Sequence, residues 1–134
     1  MKAIRLIALA ACMAATLDAS AQEQEIRLFS HRGGRMEHDE NTLSAFQASY
    51  DAGYRGFETD IRMTRDGALV ITHDSSLERT TDGTGTVEEK TEAEIRRLRT
   101  KQGNKVLFLD ELLEFLEGKE GLYVEFEMKT KPVE

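Results

Sequence analysis

The sequence predicts an α/β fold built on parallel strands, and three observations predict it. Short apolar, β-branched runs alternate with segments of helical periodicity along the chain. Two such runs each deliver a histidine at their end, His31 and His73. Two others carry acids at alternate positions, Glu58 with Asp60 and Glu125 with Glu127, so each pair shares one face of its strand.

The chain has 134 residues, the size of one small domain, and a net charge of −7. That balance argues against a nucleic-acid partner, which requires a basic footprint. It leaves an anionic small molecule open, because local cations decide binding once fields are screened beyond roughly 8–10 Å. At the N-terminus, Lys2 and Arg5 precede an apolar run to Leu17, and Ala19-Ser20-Ala21 fits a small-residue cleavage site. Residues 1–21 are therefore expected to be a signal peptide, cleaved after Ala21, sending the chain to the periplasm or outside the cell. The run is too short for a stable membrane span. Leu9-Ala10-Ala11-Cys12 offers a lipoprotein alternative, but cleavage there leaves only about six apolar residues after Arg5, against the usual 7–15. Cleavage after Ala21 also removes the one cysteine, and with it disulfide or thiolate chemistry.

The elements follow in order. Glu25 to Ser30 reads as a strand that runs into His31. Residues 33–40 are Gly-rich and polar, hence loop. Asn41 or Thr42 caps a helix whose apolar positions are Leu43, Ala45, Phe46 and Tyr50, and Gly53 ends it. Gly56 to Ile61 alternates with period two: Phe57, Thr59 and Ile61 face one way, Glu58 and Asp60 the other. Arg65-Asp66-Gly67 signals a turn, and Ala68 to Thr72 is a strand ending at His73. Residues 75–90 read as Thr/Gly-rich loop. Thr91 and Glu94 form a capping box for a helix through about Arg99. Asp110 to Glu117 is a short helix with Leu112, Leu113 and Leu116 on one stripe. Leu122 to Lys129 is the last strand, with Val124, Phe126 and Met128 opposite Glu125, Glu127 and Lys129.

If the two acidic strands share one parallel sheet, Glu58, Asp60, Glu125 and Glu127 converge. Packed like charges are costly unless a cation or proton intervenes. Oxygen-only ligands suit Mg²⁺ or Ca²⁺ better than zinc. Imidazole titrates near pH 6.5, which suits His31 and His73 to proton transfer. Arg32 can fork onto a phosphate and Lys129 can supply a point charge. His38 lies in a polar loop and is read as structural.

Together these residues resemble the glycerophosphodiester phosphodiesterases. The matching elements run in family order from residue 28 to 129: His31-Arg32-Gly33, Glu40-Asn41-Thr42, Glu58-x-Asp60, Thr64-Arg65-Asp66-Gly67, His73-Asp74, Leu77-x-Arg79-Thr80-Thr81 and Glu127-x-Lys129. Asp39 stands where the family often has proline, and Leu107-Phe108 where it often has Pro-Thr. The resemblance implies a (β/α)₈ TIM-type barrel with a small insertion after the second histidine, here residues 74–105. It implies His31 and His73 as general acid and base, Glu58, Asp60 and Glu127 as ligands of Mg²⁺ or Ca²⁺, and Arg32 and Lys129 as phosphate-binding groups. Glu40 receives a supporting role.

The expected activity is metal-dependent hydrolysis of a glycerophosphodiester to an alcohol and glycerol 3-phosphate. A phospholipase-D-like enzyme acting on lysophospholipid or sphingomyelin shares the same inventory, as does an inactive truncated paralogue that binds metal or phosphate. A full barrel takes about 250 residues, so residues 22–134 are expected to be the N-terminal portion, with about three barrel strands. Expressed alone, that portion is expected to aggregate and to lack turnover.

Overall fold

The structure, a computed structural model, describes residues 26–130. The expected signal segment and Cys12 lie outside the described residues. In order, the elements are β1 (Phe29–His31), α1 (Leu43–Asp51), β2 (Gly56–Met63), β3 (Leu69–Ile71), a 3-10 turn (Val87–Glu89), α2 (Glu92–Ile95), α3 (Leu109–Leu116) and β4 (Tyr123–Met128). Among the described residues no helix is long and apolar enough to cross a membrane.

β2 is the central strand. β1 pairs with it in parallel, from Phe29 opposite Gly56 to His31 opposite Glu58. β4 pairs in parallel along the other side, with Glu58 opposite Glu125 and Asp60 opposite Glu127. The entry to β2 needs glycine: a Cβ on Gly56 would lie 2.6 Å from the Leu28 carbonyl oxygen. β1, β2 and β4 are thus the expected three parallel strands, in an open sheet that forms part of the barrel.

One expectation fails here. His73 was to follow a parallel strand, yet β3 runs antiparallel to β2, with Ile61 opposite Ile71 and Met63 opposite Leu69. The physical reason is the link. Only residues 64–68 separate β2 from β3, and parallel neighbours need a crossover of a dozen or more residues. Thr64 closes this link, its hydroxyl bonded to Asp66 Oδ1 at 2.7 Å and to the Ala68 N–H at 2.8 Å. The hairpin still returns His73 to the level of the acids, because Thr72 N–H donates to the Asp60 carbonyl at 3.0 Å.

Two apolar clusters support this sheet. The first joins Phe46 of α1, Phe57 and Ile61 of β2, Ile71 of β3, Leu107 just before α3 and Leu112 of α3, with Val124 of β4 packed against it. Complete burial of each large side chain contributes about 1.5–3 kcal/mol. α1 starts where Thr42 accepts a hydrogen bond from Ala45 N–H at 3.2 Å. On α3 the buried stripe is narrower than expected: Leu112 is fully buried and Leu116 partly so, whereas Leu113 is exposed. Phe115 and Leu109 take its place against the core.

The second cluster belongs to the excursion 74–105. Leu77, Val87, Ile95 and Val106 pack with Val70 and Phe108. Residues 75–90 are irregular in backbone but folded around that core, so they are more than loop. α2 ends at Ile95, short of the expected Arg99. Arg99 and Thr100 are drawn instead into antiparallel bridges with Lys105 and Thr81, and Arg99 N–H donates to Asp82 Oδ1 at 2.9 Å. β3 serves both cores, with Ile71 in the first and Val70 in the second.

Candidate active site

Register brings the acids together. Glu58, Asp60 and Glu127 each offer a carboxylate oxygen, and these oxygens lie within 4.8 Å of one another. Glu125 stands opposite Glu58 in the ladder but is exposed and outside this group. Of the four acids expected to converge, three do.

Asp60 is the innermost, 1% exposed. Its Oδ2 accepts from Asn41 Nδ2 at 3.2 Å and lies 3.2 Å from Arg32 Nε, at an angle short of a hydrogen bond. Its Oδ1 is buried without a hydrogen bond, 3.4 Å from Lys129 Nζ. Lys129 also meets Glu127 Oε1 at 2.7 Å. That contact holds the Glu127 carboxyl below its ordinary range and raises the Lys129 ammonium above its own. Glu58 shifts the other way: burial, then the neighbouring Asp60 charge, raise its carboxyl. A buried carboxylate oxygen with spare lone pairs, beside a glutamate disfavoured as an anion, fits a hard divalent cation.

The loop from His31 to Asn41 wraps this cluster. Arg32 and Asn41 both adopt left-handed backbone, with φ of 53° and 57°. Arg32 N–H donates to the Glu58 carbonyl at 2.9 Å, and Asn41 N–H to the Arg32 carbonyl at 2.9 Å, so both residues are pinned beside β2. Between them Gly33 has φ 75° and passes α1 so closely that a Cβ would lie 2.9 Å from Ala45 Cβ. Asn41 Oδ1 accepts from the buried Thr59 hydroxyl at 2.9 Å, which orients its amide toward Asp60.

Both histidines lie at the edge of the acid cluster. His31 Nε2 is 3.5 Å from Glu58 Oε2, with the imidazole half exposed. His73 Nδ1 is 2.6 Å from Asp74 Oδ1. With a proton on Nδ1 donated to that carboxylate, Nε2 is left for transfer chemistry. Arg62 Nε donates to the His73 carbonyl at 2.8 Å and fixes the end of β3. His38 closes the neighbouring turn through its N–H to the Gly34 carbonyl at 2.9 Å. An open cleft of about 670 Å³, lined by Leu28, Tyr54, Arg55 and Tyr123, is at the other end of the strands, away from this chemistry.

His31, Arg32, Glu58, Asp60, His73, Glu127 and Lys129 are therefore at one end of β2, and Glu125 is outside the acid group. Four residues of the quoted motifs make contacts here that the sequence does not assign. Asn41 is a candidate helix cap and a motif residue in the sequence, and since Asn tolerates left-handed backbone it could also mark a special position. Glu40 lies 3.3 Å from Arg32 Nη1. Asp74 and Arg79 pair with each other. No spacing rule links residue 40 to 79.

The chain resembles known proteins over most of its length. The sequence model described as "Glycerophosphoryl diester phosphodiesterase family" matches residues 31–133. The chain is 31% identical to a glycerophosphodiester phosphodiesterase of Bacillus altitudinis over 111 residues, covering 78% of this chain and 45% of that protein. It is 44% identical to glycerophosphodiester phosphodiesterase 1 of Homo sapiens over 73 residues, covering 54% of this chain and 22% of that one. Among solved structures, a glycerophosphodiester phosphodiesterase from Agrobacterium tumefaciens superposes with TM-score 0.71 at 34% identity, over 78% of this chain and 47% of that one. An Oleispira antarctica phosphodiesterase, solved with the product sn-glycerol-3-phosphate, superposes with TM-score 0.72 at 30% identity, over 78% and 44%. The chain spans less than half the length of the curated relatives it matches.

Proposed function

The chain belongs to the glycerophosphoryl diester phosphodiesterase family, and on that premise we propose that it serves the hydrolysis of a glycerophosphodiester to an alcohol and glycerol 3-phosphate. The observation that supports this most is the meeting of three carboxylates, two cationic side chains and two imidazoles at one end of β2. Arg32 and Lys129 are the groups that would receive the phosphate. One histidine takes a proton from the attacking oxygen as the new P–O bond forms; that oxygen is water itself, or a glycerol hydroxyl whose cyclic phosphate a water then opens to glycerol 3-phosphate. The other donates a proton to the departing alcohol as the old P–O bond breaks. Glu58, Asp60 and Glu127 would hold Mg²⁺ or Ca²⁺, which when bound would supply charge neutralisation at the phosphoryl group and a lower pKa for the attacking water or hydroxyl.

Turnover of glycerophosphocholine and lysophosphatidylcholine by the full-length protein tests both activity and substrate class. The expected result is release of glycerol 3-phosphate from the first and little reaction with the second. His31→Ala and His73→Ala should each lower kcat by at least about 100-fold while leaving cation affinity intact. Near-wild-type turnover in either variant overturns its assigned role.

A further inference from the structure

An ion-pair chain crosses the site and joins three separate segments. His73 Nδ1 meets Asp74 Oδ1 at 2.6 Å. Asp74 Oδ2 accepts from Arg79 Nε. The same guanidinium donates to both oxygens of Glu40, from Nη1 at 2.9 Å and Nη2 at 2.7 Å. Glu40 Oε1 in turn lies 3.3 Å from Arg32 Nη1. His73 and Asp74 follow β3, Arg32 and Glu40 belong to the loop before α1, and Arg79 comes from the excursion.

We infer that Arg79 is a positioning residue: it clamps Asp74 to Glu40, and thereby fixes the His73 imidazole relative to the Arg32 guanidinium. The inference rests on the roles given above to His73 and Arg32. Arg79 uses all three of its nitrogens on two carboxylates of different segments, which a planar fork achieves and a point charge does not. Its backbone is anchored for the purpose. Leu77 is buried in the second core, Thr81 N–H donates to the Leu77 carbonyl at 2.9 Å, and Lys101 N–H donates to the Thr80 carbonyl at 2.9 Å. The folded excursion thereby becomes part of the catalytic arrangement. The contacts also set charge. Asp74 divides its negative charge between His73 and Arg79, so removing Arg79 leaves that charge to the imidazole alone. The other charged neighbours are Glu127 and, through the His73 carbonyl, Arg62.

The test uses the full-length protein with Arg79→Met and Arg79→Lys, read by kcat, KM, thermal midpoint and the His73 pKa from NMR titration. Arg79→Met should lower kcat by about 10- to 100-fold, the range for a displaced catalytic group, and raise the His73 pKa. Arg79→Lys should keep that pKa near wild type, because the charge stays, yet lose kcat several-fold because the fork is gone. Unchanged kcat and His73 pKa in Arg79→Met overturn the inference. If Arg79→Met does not fold, wild-type kcat in Arg79→Lys overturns it, and so does a loss that vanishes when the assay is moved well below the thermal midpoint. Absence of glycerophosphodiester turnover in the wild type counts against the functional reading alone. The NMR titration still decides the placement of Arg79: a raised His73 pKa in Arg79→Met supports it and an unchanged one rejects it.

Discussion

Asp60 is a buried acid, and hydrogen bonds satisfy only one of its oxygens. Arg32 and Lys129 offset its charge without aligned hydrogen bonds, which leaves Oδ1 available to an ion. Asp60→Asn keeps the shape while removing the charge that a cation would neutralise. We expect it to raise the Mg²⁺ or Ca²⁺ concentration needed for half-maximal turnover by at least about tenfold, with Glu58→Gln acting in the same direction. Back-titration of cation into the chelated enzyme measures this, and full activity in excess chelator would sink the cation assignment. The acids were legible in sequence because alternation along a strand fixes which side chains share a face. The contacts of Asn41, Glu40 and Arg79 were not, since they depend on loops whose paths no periodicity encodes.

Elements account for the next level. β2 and β4 were readable, and their parallel register follows from placing two acidic strands side by side. β3 was misread in direction, because strand propensity says nothing about which way a short strand runs; the length of the 64–68 link held that information. The excursion was underestimated for a related reason. Its apolar residues Leu77, Val87 and Ile95 are too sparse to show a period, yet they collect with Val106 around Val70 and Phe108. A cooperative core predicts a large cost for a single truncation. Ile95, fully buried on the four-residue α2, should lose about 2–5 kcal/mol on change to Ala. Equilibrium denaturation checks this, and a cost below 1 kcal/mol would return the excursion to the status of a loop. Because His73 directly follows β3, which packs on this core through Val70, the same variant should lower turnover at temperatures where it is folded.

At the scale of the whole molecule, protons and cations compete for the same cluster, and the signs can be worked out. Burial and Asp60 raise the Glu58 carboxyl in the folded chain, so this group reduces stability above its ordinary range, and the cost is relieved as pH falls through the raised value. Asp74 is opposite: hydrogen bonding from Arg79, opposed in part by burial, holds it down at about 2. It contributes stability above the ordinary carboxylate range, and that contribution is lost as pH falls toward about 2. Glu40, lowered chiefly by Arg79, behaves like Asp74. A divalent cation removes the Glu58 cost at neutral pH and has less to act on once Glu58 is protonated. Mg²⁺ or Ca²⁺ should therefore raise the thermal midpoint at pH 7, by about 2.7 kcal/mol of stability at a hundredfold excess over Kd, and have little effect at pH 4. Matched ionic strength in NaCl separates binding from screening. Glu58→Gln should melt higher than wild type in chelator, since it buries no charge, and should respond weakly to the cation. An equal rise at both pH values, or an undiminished one in Glu58→Gln, would mean that the ion acts elsewhere and that the three carboxylates are no more than a polar strand face.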